Sequence, residues 1–116
     1  MSLLDSNIVI EHLKTKTLYS GYISNLTLVE LLRGIREEAR GAVKSELEKL
    51  YSVIYLDNDA ILEYCKLYNS LRNEGEIIPE FDLLIASIAI AKNIPLVSKD
   101  THFERLEKHG LLLSKD

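Results

Sequence analysis

Residues 79–100 read Pro79-Glu-Phe-Asp82-Leu83-Leu-Ile-Ala-Ser-Ile-Ala-Ile-Ala91-Lys-Asn93-Ile-Pro95-Leu96-Val97-Ser98-Lys99-Asp100. Pro79 holds a backbone angle suited to the start of a helix, and Asp82 falls in the first turn. From Leu83 to Ala91 the residues are almost wholly apolar. That pattern predicts a buried helix with a carboxylate near its mouth. Asn93 and Pro95 end the helix, Leu96 and Val97 read as a short buried strand, and Ser98-Lys99-Asp100 delivers a second carboxylate at the strand's end.

Outward from this stretch, 116 residues with 47% hydrophobic content suit one domain, 1–116, with its own core. Short apolar strands that each lead into a helix predict an α/β layer fold with a largely parallel sheet. The run from Leu83 to Ala91 falls well short of the roughly 20 apolar residues a membrane span needs. The start, Met-Ser-Leu-Leu-Asp, has no basic segment of the export type, so a cytoplasmic protein is expected. The single cysteine, Cys65, shares helical spacing with Ile61, Tyr64 and Tyr68; it reads as a small core residue, as a reducing compartment allows. A net charge of −4 excludes a generically basic nucleic-acid coat. It does not exclude nucleic-acid chemistry if some of the acids hold a cation.

In chain order, Ser2–Leu4 reads as a strand ending at Asp5, and Ser6–Leu13 as a helix with Ile8, Ile10 and Leu13 available to its buried face. Thr15–Ser20 is a polar connector and Gly21–Ser24 a second strand; Asn25 or Thr27 opens the next helix. Thr27-Leu-Val-Glu30 fits a capping box. A further helix is expected over Ile35–Leu50, burying Ala39, Val43, Leu47 and Leu50. If the helix runs on through Gly34, Arg33, Arg36, Arg40 and Lys44 share a face, either solvated or a track for phosphates. Ser52–Leu56 is a third strand, and Asp57-Asn58-Asp59 caps a long helix whose apolar face carries Ile61, Tyr64, Cys65, Tyr68 and Leu71. After the polar loop 72–76 and the opening stretch come a short helix, Thr101–Lys108, and a last strand, Leu111–Leu113.

Asp5, Glu30, Asp82 and Asp100 can each be read as a cap or a first-turn acid. Together they share a location, because strand C-termini and the following helix N-termini of a parallel α/β sheet lie on one edge, where ligands bind. Like charges about 4 Å apart repel by roughly 4 kcal/mol per pair at an effective dielectric near 20. A hard divalent cation offsets that repulsion, and Mg²⁺ or Mn²⁺ takes oxygen ligands and bridges to substrate phosphate. Metal-assisted phosphodiester hydrolysis is the chemistry this favours. His12, His102 and His109 form no zinc-ligand spacing with Cys65, and neither a Gly-rich phosphate loop nor a Gly-x-Ser-x-Gly elbow occurs.

The order Leu-Leu-Asp5-Ser6-Asn7, Thr27-Leu-Val-Glu30-Leu31-Leu-Arg-Gly34, Asp82-Leu-Leu-Ile-Ala86 and Leu96-Val-Ser98-Lys-Asp100 followed by Phe103 resembles the PIN-domain ribonucleases, especially VapC-type toxins. The resemblance covers nearly the whole chain. It implies a three-layer PIN fold with a central, mainly parallel sheet of about four to five short strands flanked by helices. It also implies Mg²⁺- or Mn²⁺-dependent RNA cleavage, inhibition by a small antitoxin that occludes the site, a homodimer, and no membrane role. Asp5, Glu30, Asp82 and Asp100 match the family's acidic quartet, and Ser6 or Asn7 and Ser98 its neighbouring polar positions. The short segment Thr15–Ser24 departs from many relatives, which carry an extra helix there.

On this reading Asp5, Asp82 and Asp100 hold the metal, with Glu30 beside it to position or deprotonate the attacking water and Ser98 orienting a carboxylate. Arg33, Arg36 and Lys99 are candidates for flanking phosphates, and Glu80 is either an outer acid or a solvated residue. Two alternatives stay open. A phospho-acceptor receiver domain would use Asp57 as acceptor with Ser98 and Lys99 as helpers, and a catalytically silent binding module would keep the fold without turnover.

Overall fold

The computed structural model describes residues 1–17 and 20–115; Leu18, Tyr19 and Asp116 lie outside the described residues, and with the first two the middle of the expected connector. Strands β1 (Leu3–Leu4), β2 (Tyr22–Ser24), β3 (Ser52–Ile54), β4 (Leu96–Val97) and β5 (Leu113–Ser114) form one sheet in the order β3-β2-β1-β4-β5. Every pairing is parallel, with Leu3 opposite both Tyr22 and Leu96. The links are α1 (Ser6–Thr15), α2 (Asn25–Leu32), α3 (Glu37–Leu50), α4 (Asn58–Glu74), α5 (Glu80–Lys92) and a 3-10 helix (Thr101–His109).

Alternation along β1 divides the core. Leu3 joins a cluster with Leu67, Leu71, Ile85, Ile88, Leu96 and Phe103, under α4, α5 and the 3-10 helix. Leu4 points the other way, to Ile8, Val9, Ile23, Leu28 and Leu47, under α1, α2 and α3. The result is the expected three layers, with a sheet buried on both faces because its crossovers are helical. Gly21 is fixed by the tight approach of β2 to β1: a Cβ there would lie 3.2 Å from the Leu4 side chain and 3.3 Å from the Ser2 carbonyl oxygen.

The stretch at 79–100 folds as its sequence predicts. Pro79 occupies the N-cap position, and its carbonyl accepts from Leu83 N at 3.0 Å. Leu83 and the run from Ile85 to Ala89 are buried, and Asn93 ends the helix in the left-handed conformation at φ 56. β4 then starts at Leu96. Since the chain runs from β1 outward to β2 and β3, then crosses back to β4, the direction of winding reverses between β1 and β4. That reversal opens a crevice beyond the carboxyl ends of these two strands.

Several expectations are corrected. α1 continues to Thr15, and its buried apolar residues are Ile8 and Val9, with Leu13 left 44% exposed. The helix does not run through Gly34: α2 closes at Arg33, α3 begins after Arg36, and the basic row is split between them. Arg40 stabilises the break, its Nε donating to the carbonyl oxygens of Leu32 and Ile35 at 3.1 and 2.9 Å. Of the four residues expected to be buried on α3, Leu47 is; Ala39 and Val43 are half-buried and Leu50 is exposed. On α4 the buried residues are Ala60, Leu67 and Leu71, whereas Cys65, Ile61 and Tyr68 are exposed. Cys65 is therefore a surface residue, because α4 rests on the core through one narrow stripe. β3 stops at Ile54, and the last strand is shifted to Leu113–Ser114, Leu111 serving the core instead. Among the described residues no helix is long and apolar enough to cross a membrane.

Candidate functional site

Asp5 follows β1 directly and takes the N-cap position of α1 with extended backbone, yet its side chain makes no capping hydrogen bond. Its amide instead donates to the Val97 carbonyl at 3.0 Å, which carries the β1–β4 pairing past the last strand residue. Its carboxylate, in a residue only 3% exposed, accepts from Ser98 Oγ at 2.8 Å. The same hydroxyl accepts from Asp100 N at 3.1 Å, so Ser98 sets both acids at the reversal point. Asp100 likewise stands at the N-cap position of the 3-10 helix without capping it. Neither acid makes the capping hydrogen bond its position offers, although the Ser6 amide still donates to the Asp5 carboxylate and lowers its pKa.

Glu30 is supplied from the other side. α2 is capped by Ser24, whose hydroxyl accepts from Thr27 N at 3.2 Å, so Thr27 is no N-cap, the expected capping box is absent, and Glu30 stands in the second turn. Its carboxylate accepts from Ser6 Oγ at 2.7 Å, and Ser6 Oγ lies 3.1 Å from Thr27 Oγ1. Of the pair Ser6 and Asn7, it is Ser6 that supports an acid, while Asn7 is exposed. Asp82, third residue of α5, lies with Oδ2 at 2.9 Å from His102 Nε2. One donor atom from each of Asp82, Asp100 and His102 falls within 4.8 Å of the others.

Electrostatics bind these groups into one site. Burial pushes the Asp5 carboxyl up to about 6; the Ser98 hydrogen bond opposes this, and the charges of Asp82 and Asp100 add to it. Asp82 is raised too, first by burial; the His102 imidazole pulls it down, and Glu30 and Asp100 push it up. Asp5 and Asp82 are thus held at an electrostatic cost that a cation would offset. Carboxylate oxygens with one imidazole, at this separation, fit a divalent ion.

The basic candidates are less concentrated. Arg33 lies over the Phe81 ring at 5.6 Å, beside the mouth of α5. Arg36 is exposed ahead of α3, and Lys99 Nζ meets both Glu11 carboxylate oxygens at 3.0 Å. Glu80 accepts from the Tyr64 hydroxyl, and that phenol is pushed up to about 12 by the bond. Asp57 caps α4, accepting from Ala60 N at 3.0 Å, and pairs with Lys92. It follows β3, separated from β4 by β2 and β1, so it is remote from Ser98 and Lys99. That separation removes the support for a receiver. His102 is the site residue that sequence reasoning missed. Its signal was its position two residues beyond Asp100, not a spacing to Cys65.

Fold and site together define a three-layer parallel α/β protein with a cation-ready cluster of acids at its winding reversal. The PIN domain profile matches residues 2–109, and the chain belongs to the PIN-domain family. It is 37% identical over 113 residues to Ribonuclease VapC1 of Methanocaldococcus jannaschii, covering 94% of this chain and 83% of that protein. Among solved structures it resembles VapBC2 from Rickettsia felis bound to a promoter DNA fragment, at 27% identity and TM-score 0.78 over 97% of this chain and 96% of that one. It also resembles VapBC-1 from nontypeable Haemophilus influenzae, at 25% identity and TM-score 0.82 over 97% and 96%.

Proposed function

We propose that this chain is a Mg²⁺- or Mn²⁺-dependent endoribonuclease, the toxin of a type II toxin-antitoxin pair. The observation that carries the reading is the convergence of Asp5, Glu30, Asp82 and Asp100 on the β1–β4 reversal, where Ser98 joins the ends of the two strands, Ser6 holds Glu30, and Asp82 and Asp100 lie with His102 at ligand spacing; burial and neighbouring acids raise both Asp5 and Asp82. When bound, a divalent cation supplies the charge that offsets these acids, polarises phosphoryl oxygens and makes a water acidic enough to attack phosphorus. Asp82 and Asp100 would hold it, with Asp5 behind them locked by Ser98. Glu30, aimed by Ser6 and not engaged in a cap, accepts the proton of the attacking water. Arg33, exposed over the Phe81 ring beside the mouth of α5, would meet a flanking phosphate of the RNA; Arg36 and Lys99 are secondary candidates.

The VapC name of the curated relative and the VapBC complexes among the structural neighbours support RNA as substrate and a small antitoxin as partner. An exposed apolar strip on α4, with Ile61, Leu62 and Tyr68, supports a homodimer. The whole chain, 1–116, acts as one domain in the cytoplasm on this reading. The test is cleavage of total RNA with Mn²⁺ or Mg²⁺, beside a chelated control and Asp82→Asn. Metal-dependent cleavage lost in the folded variant supports the proposal. Equal cleavage by parent and Asp82→Asn refutes it, and metal binding without any cleavage would favour a silent binding module.

A further inference from the structure

The donor set at the reversal contains a nitrogen, and that nitrogen comes from outside the acidic quartet. His102 stands in the first turn of the 3-10 helix, its ring 4.7 Å between centroids from Phe103, which is fully buried and anchors it. Nε2 is shielded from solvent and lies 2.9 Å from Asp82 Oδ2 without the alignment of a hydrogen bond. Two ligands at neighbouring octahedral positions, each about 2.1 Å from a cation, stand about 3 Å apart. The His102–Asp82 separation has that span, and Asp100 offers a third donor within 4.8 Å of both.

We infer that His102 is a direct ligand of the cation held by Asp82 and Asp100, and that its imidazole biases the site toward Mn²⁺ over Mg²⁺. The inference rests on the divalent-metal reading above and adds a ligand to it. Mg²⁺ keeps an oxygen shell, whereas an imidazole nitrogen binds transition ions more tightly, so replacing one oxygen by His102 favours the softer ion. In the competing role His102 only orients Asp82 by donating an N–H, and its nitrogen stays off the cation.

The experiment is pulsed electron paramagnetic resonance on the full chain loaded with Mn²⁺, alongside Mn²⁺ and Mg²⁺ titrations. Nitrogen modulation of the Mn²⁺ signal is expected, changed to the ¹⁵N pattern by ¹⁵N-histidine labelling, kept in His12→Gln and His109→Gln, and lost in His102→Gln. Loss of a ligand costs at least as much as loss of an outer partner, so Mn²⁺ affinity falls by about tenfold or more in His102→Gln. Mg²⁺ affinity changes several-fold less. The labelled parent alone decides the point if the variant fails to fold. Bound Mn²⁺ without nitrogen modulation overturns ligation by His102 and leaves the acidic site standing. Failure of Mn²⁺ to bind, with Asp82→Asn indistinguishable from the parent, overturns both.

Discussion

Ser98 Oγ donates to Asp5 Oδ2 at 2.8 Å, joining two buried residues 93 positions apart in the chain. The hydroxyl accepts from Asp100 N at the same time, so one small side chain sets the ends of β1 and β4 against each other. Replacing it by Ala leaves a buried carboxylate and an amide short of partners. Ser98→Ala should lose about 1–3 kcal/mol of stability in denaturant unfolding. RNA cleavage should fall about tenfold, the effect of freeing a residue that orients a ligand. Unchanged rates would show that Asp5 is held by its surroundings alone.

The metal-free site should be a source of instability that depends on pH. Asp5 rises from 3.8 to about 6 on folding, so the native chain holds its proton more tightly than the unfolded chain does. Stability is then unaffected below pH 4, declines as pH rises through 6, and stays lower above it, by roughly 3 kcal/mol at most. Asp5→Asn removes that loss. In chelator it should melt above the parent at pH 7.5, with the advantage vanishing near pH 4, while cleavage is abolished. A destabilised variant at pH 7.5 would mean that burial of Asp5 is better compensated than its neighbours indicate.

How much of this was legible in the sequence differs by region. α5 and β4 were, because Pro79, Asn93 and Pro95 bracket an apolar run too long to serve any face but a fully buried one. The convergence of the acids followed from parallel topology, which puts residues after strands on one edge whatever their separation in sequence. The break between α2 and α3 was not legible, since it depends on Arg40 reaching the carbonyls of Leu32 and Ile35. Nor was the exposure of Cys65: Ile61, Tyr64, Cys65 and Tyr68 keep a helical period, but α4 is buried through Ala60, Leu67 and Leu71, and periodicity does not say which of two apolar stripes faces inward. Glu30 looked like a cap partner because Thr27 fits the motif. Ser24, three residues earlier, is the better placed hydroxyl.

Glu30 and its Ser6 partner separate proton transfer from metal binding. Glu30→Gln keeps the shape and the hydrogen bond from Ser6 but cannot take a proton. Cleavage should fall about 10²- to 10⁴-fold, the usual contribution of a general base. Mn²⁺ affinity measured by calorimetry should change little. A comparable loss of affinity would instead make Glu30 a ligand.

Asp57 provides the control outside the site. Its carboxylate caps α4 and pairs with Lys92, so Asp57→Ala should lower the midpoint of thermal or denaturant unfolding modestly. RNA cleavage per folded molecule should match the parent. A large loss of activity without loss of structure would place a functional carboxylate at the end of β3, and a mass gain from a small phosphodonor would revive a receiver role for it.

Added metal should reverse the instability of the acidic cluster, and the reversal should weaken in acid. A cation that binds the folded chain and not the unfolded one stabilises it by about 2.7 kcal/mol at a hundred times its dissociation constant. Mn²⁺ should therefore raise the melting temperature at pH 7.5, and chelation should return it to the metal-free value. Protons compete with the cation for the charge of the cluster, and Asp5, pushed up to about 6, takes one as pH falls through that range. The metal-induced shift should accordingly shrink between pH 7 and pH 5. In Asp82→Asn it should be nearly absent at every pH, because that change removes a donor shared with Asp100 and His102. An equal shift in parent and variant would put the stabilising ion elsewhere on the protein.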